Sequence, residues 1–165
     1  MVLEHVKAHF KQWNIDDRIM ELEATTATVA DAAAAHGVEA GQIGKTLSFK
    51  IDDEPILIVV AGDAKIANTK YKARFAKKAK MLTPDEVLTY TGHPVGGVCP
   101  FGLPRNLSVY LNISLKRFED VIPAAGSHNS SIRLSLEELE QYSDFRGWID
   151  VCKIIEQPIK DDMKK

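Results

Sequence analysis

Apolar residues recur at Val2, Leu3, Val6, Phe10 and Trp13, a spacing that predicts an amphipathic helix over Val2–Trp13. A second helix is expected over Thr28–His36. Thr28 suits the N-cap, the Asp31 carboxylate stands three residues on where it can return to the cap amide, and Gly37 suits the position just past the end. The period then shortens. Lys45–Ile51 and Pro55–Ala61 read as strands joined through Asp52-Asp53-Glu54, a hairpin connection. Ile56–Val60 is apolar at every position, which predicts burial on both faces. A basic helix follows over about Asn68–Lys78, docked by Tyr71 and Phe75. Thr83-Pro84-Asp85-Glu86 carries the cap, first-turn proline and returning glutamate of a helix start, and that helix ends before Gly92. Ser108–Ile113 alternates like a strand, Val121–Ala125 and Ser131–Leu134 are shorter ones, and Ser135-Leu136-Glu137-Glu138 opens another helix. The polar tail Gln157–Lys165 is expected to fray. Helices and strands interleave while several strands look hairpin-connected, so the expected class is mixed α+β (α/β in the broad sense) with a mixed sheet. Neither an internal repeat nor a linker divides residues 1–165, and one domain is expected.

Composition narrows this further. The 165 residues are 45% hydrophobic and 27% charged, which is ordinary for a globular chain and excludes disorder. Such a chain buries roughly 70% of its unfolded surface and needs no disulfide or metal to fold. Its apolar runs fall well short of the ~20 residues that span a bilayer. Met1–Trp13 carries Glu4, Lys7 and Lys11, unlike a signal peptide. Two lone cysteines, Cys99 and Cys152, make neither a disulfide framework nor a CxxC metal pair. The expectation is a cytoplasmic protein with no membrane partner, metal or cofactor.

Charge is uneven. Between Ala64 and Lys80 lie seven basic residues and no acidic one, leaving fourteen basic against 23 acidic elsewhere. Lys70, Arg74 and Lys77 fall at i, i+4 and i+7 of the expected helix, a stripe suited to a phosphate backbone or to a solvated face.

The stretch Gly92–Pro104 holds four glycines and three prolines, which neither a helix nor a central strand tolerates. Glycines let main-chain amides approach a ligand, so this loop is a candidate oxyanion or carboxylate hole; the competing reading is a long structural turn. It matches neither a P-loop nor a dinucleotide fingerprint. Lys45, at the start of an apolar-rich strand, either points into a pocket or is solvated. Asp63 follows the buried strand, where sites form in α/β proteins, or is a turn aspartate. His93 and His128 are each candidates for acid, base or orienting group. His5 and His9 lack the glutamate of a zinc helix and read as a surface pair. Cys99 has no triad pattern about it and reads as a packing thiol rather than a nucleophile.

Four segments in order complete the picture: Thr28-Val29-Ala30-Asp31-Ala32-Ala33, Gln42-Ile43-Gly44-Lys45-Thr46-Leu47, Ala61-Gly62-Asp63 and Gly96-Gly97-Val98-Cys99-Pro100-Phe101-Gly102. Together they closely resemble the YbaK/prolyl-tRNA-synthetase-associated domain family, from about Thr25 to Leu139. The resemblance implies a mixed sheet surrounded by helices and the hydrolysis, in trans, of wrongly charged aminoacyl-tRNA, a translation-fidelity function. It implies mischarged tRNA as a partner, with an aminoacyl-tRNA synthetase as a second, and no DNA. Lys45 matches the family's functional lysine; Gly96, Gly97, Pro100 and Phe101 match its pocket loop, with Val98 between them. Asp63 matches the aspartate after the central strand, and His128 lies where some members carry a functional histidine. On this reading the amides of Gly97 and Gly102 stabilise the oxyanion, Lys45 orients the substrate, and Asp63, Gly96, Val98, Pro100, Phe101 and His128 bind it. Lys70, Arg74 and Lys77 would contact the acceptor stem. Two other readings compete: a non-catalytic module binding tRNA or a synthetase, and a small-ester hydrolase in which the basic stripe is only solvated.

Overall fold

The computed structural model describes residues 2–24, 28–95, 97–103 and 107–155. Gly96 and the tail 157–165 therefore lie outside the described residues. The helices are α1 (Val2–Lys11), α2 (Val29–His36), α3 (Asn68–Phe75), α4 (Pro84–Thr91) and α5 (Leu136–Ser143). The strands are β1 (Met20–Glu21), β2 (Ile43–Ile51), β3 (Glu54–Ala61), β4 (Ala64–Ile66), β5 (Ser108–Asn112), β6 (Asp120–Pro123), β7 (Ser130–Ser131), β8 (Leu134–Ser135), β9 (Gly147–Ile149) and β10 (Cys152–Ile154).

Six strands form one mixed sheet in the order β8-β6-β2-β3-β5-β9. The hairpin β2–β3 is its antiparallel centre, and β6, β5 and β9 add in parallel. β3 is buried from Pro55 to Ala61, as an unbroken apolar run requires when helices or strands cover both faces. The remaining strands make two small antiparallel pairs, β1–β7 and β4–β10. α1 docks through Phe10, whose ring lies 4.7 Å from Phe101 and 5.6 Å from Tyr142. α3 docks through buried Tyr71, 5.2 Å from Phe49 and 4.9 Å from Phe75.

The cap signals hold locally. Thr83 and Ser135 make full capping boxes with Glu86 and Glu138. At α2 only half of the expected device forms: Thr28 Oγ1 accepts from the Asp31 amide at 3.1 Å. Gly37 and Gly92 close their helices in the left-handed region.

Three boundaries differ from the sequence pattern. α1 stops at Lys11, and Trp13 packs from a turn instead. α3 stops at Phe75 rather than Lys78 because Ala76 turns left-handed (φ 61°) and its amide closes on Lys72 O. Beyond it the chain pairs with β2: the Lys50 amide donates to Lys80 O at 2.9 Å and Phe49 bridges Met81, a gain that ends the helix. The single strand expected over Ser131–Leu134 is two, β7 on β1 and β8 on β6, because each half finds a different partner.

Candidate active site

Gly44 on β2 pairs with Ala61 on one side and Pro123 on the other, so strand, turn and helix converge there. α2 lies over this point through Ala32, which packs with Ile43 and Ile122. Between α2, β2, the start of α4 and the loop after α4 is a cleft of about 360 Å³. Its walls are mainly apolar: Val29 and Ala32 from α2, Ile122 and Ala124 near β6, Leu82 and Val87 by α4, Val95 and Val98 from the loop. Met81 and Val95 also line it while staying 59% and 65% exposed. The polar groups on it are few: Thr28, Lys45, Thr46, Ser48 and Ser131. Few polar groups on a concave apolar surface is the usual build of a small-ligand site.

Lys45 is half-buried, and its Nζ donates to Ala64 O at 3.1 Å. Burial pushes its pKa below the ordinary lysine value, opposed by Cys152 and Asp63 nearby. An ammonium with one protein partner keeps two donors for a ligand. Asp63 is committed elsewhere: Arg117 grips it with both guanidinium nitrogens, Nη1 to Oδ2 at 3.0 Å. It is thus neither a turn aspartate bonding its own backbone nor a cleft-lining group, but a counter-charge between Arg117 and Lys45.

The Gly/Pro loop divides in two. Val95 and Val98 face the cleft, while Pro100 and Phe101 are buried and Phe101 packs beneath α1. Gly97 donates its amide to Pro94 O at 2.9 Å, and a Cβ there would come within 2.8 Å of the Ser127 nitrogen. It is a close-approach glycine, pressed on the Gly126-Ser127 turn. Gly102, with φ of +61°, is pressed on α1, where a Cβ would lie 2.8 Å from His5 O. Its conformation needs glycine, its Cα lies against α1, and it is not among the residues that line the cleft.

His93 is fully buried and bonds Phe101 O at 2.9 Å, holding the loop's two ends together; burial keeps its pKa below the usual histidine value. Burial likewise pushes the Cys99 thiol up to about 12, in keeping with a packing role. His128 is exposed and does not line the cleft. His9 is no surface residue: half-buried, it bonds Tyr142 O at 2.8 Å and lies edge-on to Trp13. Among the described residues no cluster of three or more His, Cys, Asp or Glu side chains is placed to hold a metal. No described helix is long and apolar enough to cross a membrane.

The basic stripe is partly broken. Lys70 pairs with Asp150 at 3.2 Å and donates to Cys152 O at 3.1 Å, next to the strand pair that receives Lys45. Arg74, one turn on, lies over Phe75 and Tyr110. Lys77 is off the helix and pairs with Asp52 of the β2–β3 turn at 3.2 Å.

The pattern along the chain did not single out Thr46, Ser131 or His36. Thr46 Oγ1 is buried without a partner beside the cleft. Ser131 Oγ lies 2.7 Å from His36 Nε2, a pair 95 residues apart that no local spacing announces.

Comparison with known proteins places this arrangement. The model of the family described as "Aminoacyl-tRNA editing domain" matches residues 23–142. Protein YwhH of Bacillus subtilis (strain 168), itself uncharacterized, is 53% identical over 154 residues, 93% of this chain and 98% of that one. Proline--tRNA ligase of Nitratidesulfovibrio vulgaris (strain Hildenborough) is 33% identical over 124 residues, 72% of this chain. The match spans 22% of that ligase, so this chain resembles one part of a much longer enzyme. A crystal structure of a "putative trans-editing enzyme for prolyl tRNA synthetase" superposes with a TM-score of 0.83 at 28% identity, over 92% of this chain and 97% of that one. Hypothetical protein APE2540 superposes at 0.76, also at 28% identity, over 88% of this chain and 99% of that one. With the family model matching most of its length, the chain belongs to the aminoacyl-tRNA editing domain family.

Proposed function

We propose that this protein is a free-standing aminoacyl-tRNA deacylase, hydrolysing in trans the ester that joins a wrong amino acid to the terminal ribose of tRNA. The observation that carries the reading is the placement of Lys45: a half-buried ammonium on the edge of a cleft of about 360 Å³ that is otherwise mainly apolar. Such a cleft accepts an amino-acid side chain, and the lysine supplies the charge that orients the phosphate, ribose or carbonyl of the same substrate.

Ester hydrolysis passes through an oxyanion, which main-chain donors stabilise. The loop segment at Val98, which lines the cleft, is the element for this; the Gly97 amide, expected as a donor, is already given to Pro94 O at 2.9 Å, and Gly97 instead packs the loop on the Gly126-Ser127 turn. Removing one such donor typically costs ~10²–10³ in rate. Lys70 and Arg74 lie on the Lys45 side of the molecule and suit the acceptor-stem phosphates, with Lys77 at the flank. A synthetase that releases the mischarged tRNA is the second partner on this reading, and the cytoplasm its place of work.

The experiment is deacylation of tRNAs carrying Ala, Cys, Ser or Thr by wild type and Lys45→Ala. Hydrolysis of one of them by wild type, lost in the variant with its melting curve intact, is the expected result. Binding of tRNA without hydrolysis of any member would replace the reading with a non-catalytic module. Hydrolysis of small esters undiminished by uncharged tRNA would replace it with a small-ester hydrolase.

A further inference from the structure

We infer that Ser131 and His36 form a proton relay on the wall of the cleft, in which the Ser131 hydroxyl activates the water that attacks the ester. This rests on the deacylase reading and adds two residues to it. Ser131 lines the cleft and is otherwise buried, 2% exposed. Its main chain is fixed twice, by pairing with Met20 and by a bridge to Ala124. Its Oγ lies 2.7 Å from His36 Nε2. His36 is the last residue of α2, the helix whose Val29 and Ala32 form the same wall. The hydroxyl of a cleft-lining residue with an imidazole at hydrogen-bond distance is the nucleophile-and-base arrangement in its simplest form.

The position suits the substrate. Gly44, next to Lys45, pairs with Pro123; the residue after Pro123 is bridged to Ser131. Two strand spacings, about 10 Å, therefore separate the two. That span admits an aminoacyl ester with Lys45 at one end and Ser131 at the other. The charged group acting on His36 is Arg133, whose guanidinium is held by Asp120 at 3.1 Å; Asp120 in turn accepts from Gln42 Nε2 at 2.7 Å. Burial first and Arg133 second lower the His36 pKa, so the ring is neutral at pH 7 and Nε2 is able to accept a proton.

The relay balances. A water proton passes to Ser131 Oγ as the Ser131 proton passes to His36 Nε2, and the water oxygen bonds to the ester carbonyl carbon. The tetrahedral oxyanion collapses, the carbon–oxygen bond to the ribose breaks, and the imidazolium proton returns through Ser131 to the ribose oxygen. Free amino acid and uncharged tRNA leave, with both residues restored. Ser131 is the catalytic residue, and His36 acts through it.

The test is single-turnover deacylation of the mischarged tRNA that wild type hydrolyses, across the range in which histidine titrates, by wild type, Ser131→Ala, His36→Gln and His36→Ala. Ser131→Ala and His36→Gln are each expected to lose about 10²-fold or more, within the general-base range. His36→Gln should also lose the fall in rate that wild type shows on the acid side, and added imidazole should restore His36→Ala in part. Wild-type rates and an unchanged pH profile in both Ser131→Ala and His36→Gln would overturn the relay while leaving the deacylase reading intact. Slow variants that keep the acid-side fall and ignore imidazole would reduce the pair to a structural contact. A wild type inert on every mischarged tRNA would overturn both readings together.

Discussion

His93 Nε2 lies 2.9 Å from the main-chain oxygen of Phe101, eight residues further along the same loop. The ring is wholly buried and its Nδ1 has no partner, so the neutral tautomer with its proton on Nε2, donating to Phe101, is the one the site favours. Burial holds the folded pKa below the ordinary value of about 6.5. The unfolded chain then binds more protons as pH falls past that value, so stability is full above about pH 6.5 and is lost below it until the folded pKa is reached. His9 and His36 are shifted the same way, mainly by burial. Thermal melts should therefore fall between about pH 7 and pH 5. His93→Gln should melt lower at neutral pH, by the 1–3 kcal/mol typical of a buried hydrogen bond removed (about 2–4 °C per kcal/mol), and its decline with acid should be shallower. An equally steep decline in that variant would place the titration on other groups.

Asp52 and Asp53 turn the β2–β3 hairpin with φ of 47° and 69°, both in the left-handed region. A two-residue hairpin of this kind prefers Asn-Gly, because glycine there carries no steric cost. Asp53→Gly keeps the Lys77–Asp52 ion pair and should stabilise the protein by about 0.5–1 kcal/mol, after the greater entropy that glycine loses on folding. Urea unfolding checks it: the midpoint should rise at unchanged slope. A lower midpoint would mean that the Asp53 carboxylate contributes more than its backbone strain costs.

Local signals were the legible ones. Capping residues fixed the starts of α2, α4 and α5, and the unbroken Ile56–Val60 run marked the central strand. What could not be read was decided by partners distant in sequence. α3 ends early because residues 80–82 pair with β2, and the run after Asn129 divides because β1 and β6 claim its two halves. The same division runs through the site. Lys45 and the loop carried a pattern recognisable from sequence, and Lys45 and Val98 do line the cleft. The glycines of that loop share one composition but have different tasks, Gly97 against Ser127 and Gly102 against α1, which only the packing distinguishes. The His36–Ser131 contact joins α2 to β7 across 95 residues, and neither residue type is unusual where it stands.

Arg117 and Asp63 form a two-pronged pair beside Lys45, with the Asp63 side chain only 14% exposed and that of Arg117 38%. Replacing arginine by methionine leaves a carboxylate mostly out of water, without its guanidinium partner and with the Lys45 charge nearby. The expected loss is about 1–2 kcal/mol, discounted from the buried-pair range because the guanidinium is partly solvated. Arg117→Lys should recover less than half of it, since a single ammonium cannot make the parallel contacts of the fork. Melting temperatures of the two variants test this, and equal stability of Arg117→Lys and wild type would show that charge alone, without the fork, holds Asp63.

Lys70 and Arg74 remain one turn apart on α3, while Lys77 sits beyond the helix end at the hairpin. Each already touches a protein group: Lys70 on Asp150, Arg74 over the Phe75 and Tyr110 rings, Lys77 on Asp52. Solvent-exposed ion pairs of this kind are worth little, about 0–1 kcal/mol, so a phosphate can compete for the lysines at small cost. Arg74 keeps its stacking while its outer guanidinium edge stays available for a second partner. Removing one cation from a phosphate should reduce the slope of log K against log salt by roughly 0.7–0.9. Lys70→Gln with Arg74→Gln should therefore weaken tRNA binding and flatten its salt dependence by nearly two such steps, and Lys77→Gln by less than one. Binding measured over a salt series decides it. A double variant with the wild-type slope would make α3 a solvated face and move the acceptor stem to another surface, whereas a full step from Lys77→Gln would extend the tRNA path over the β2–β3 turn.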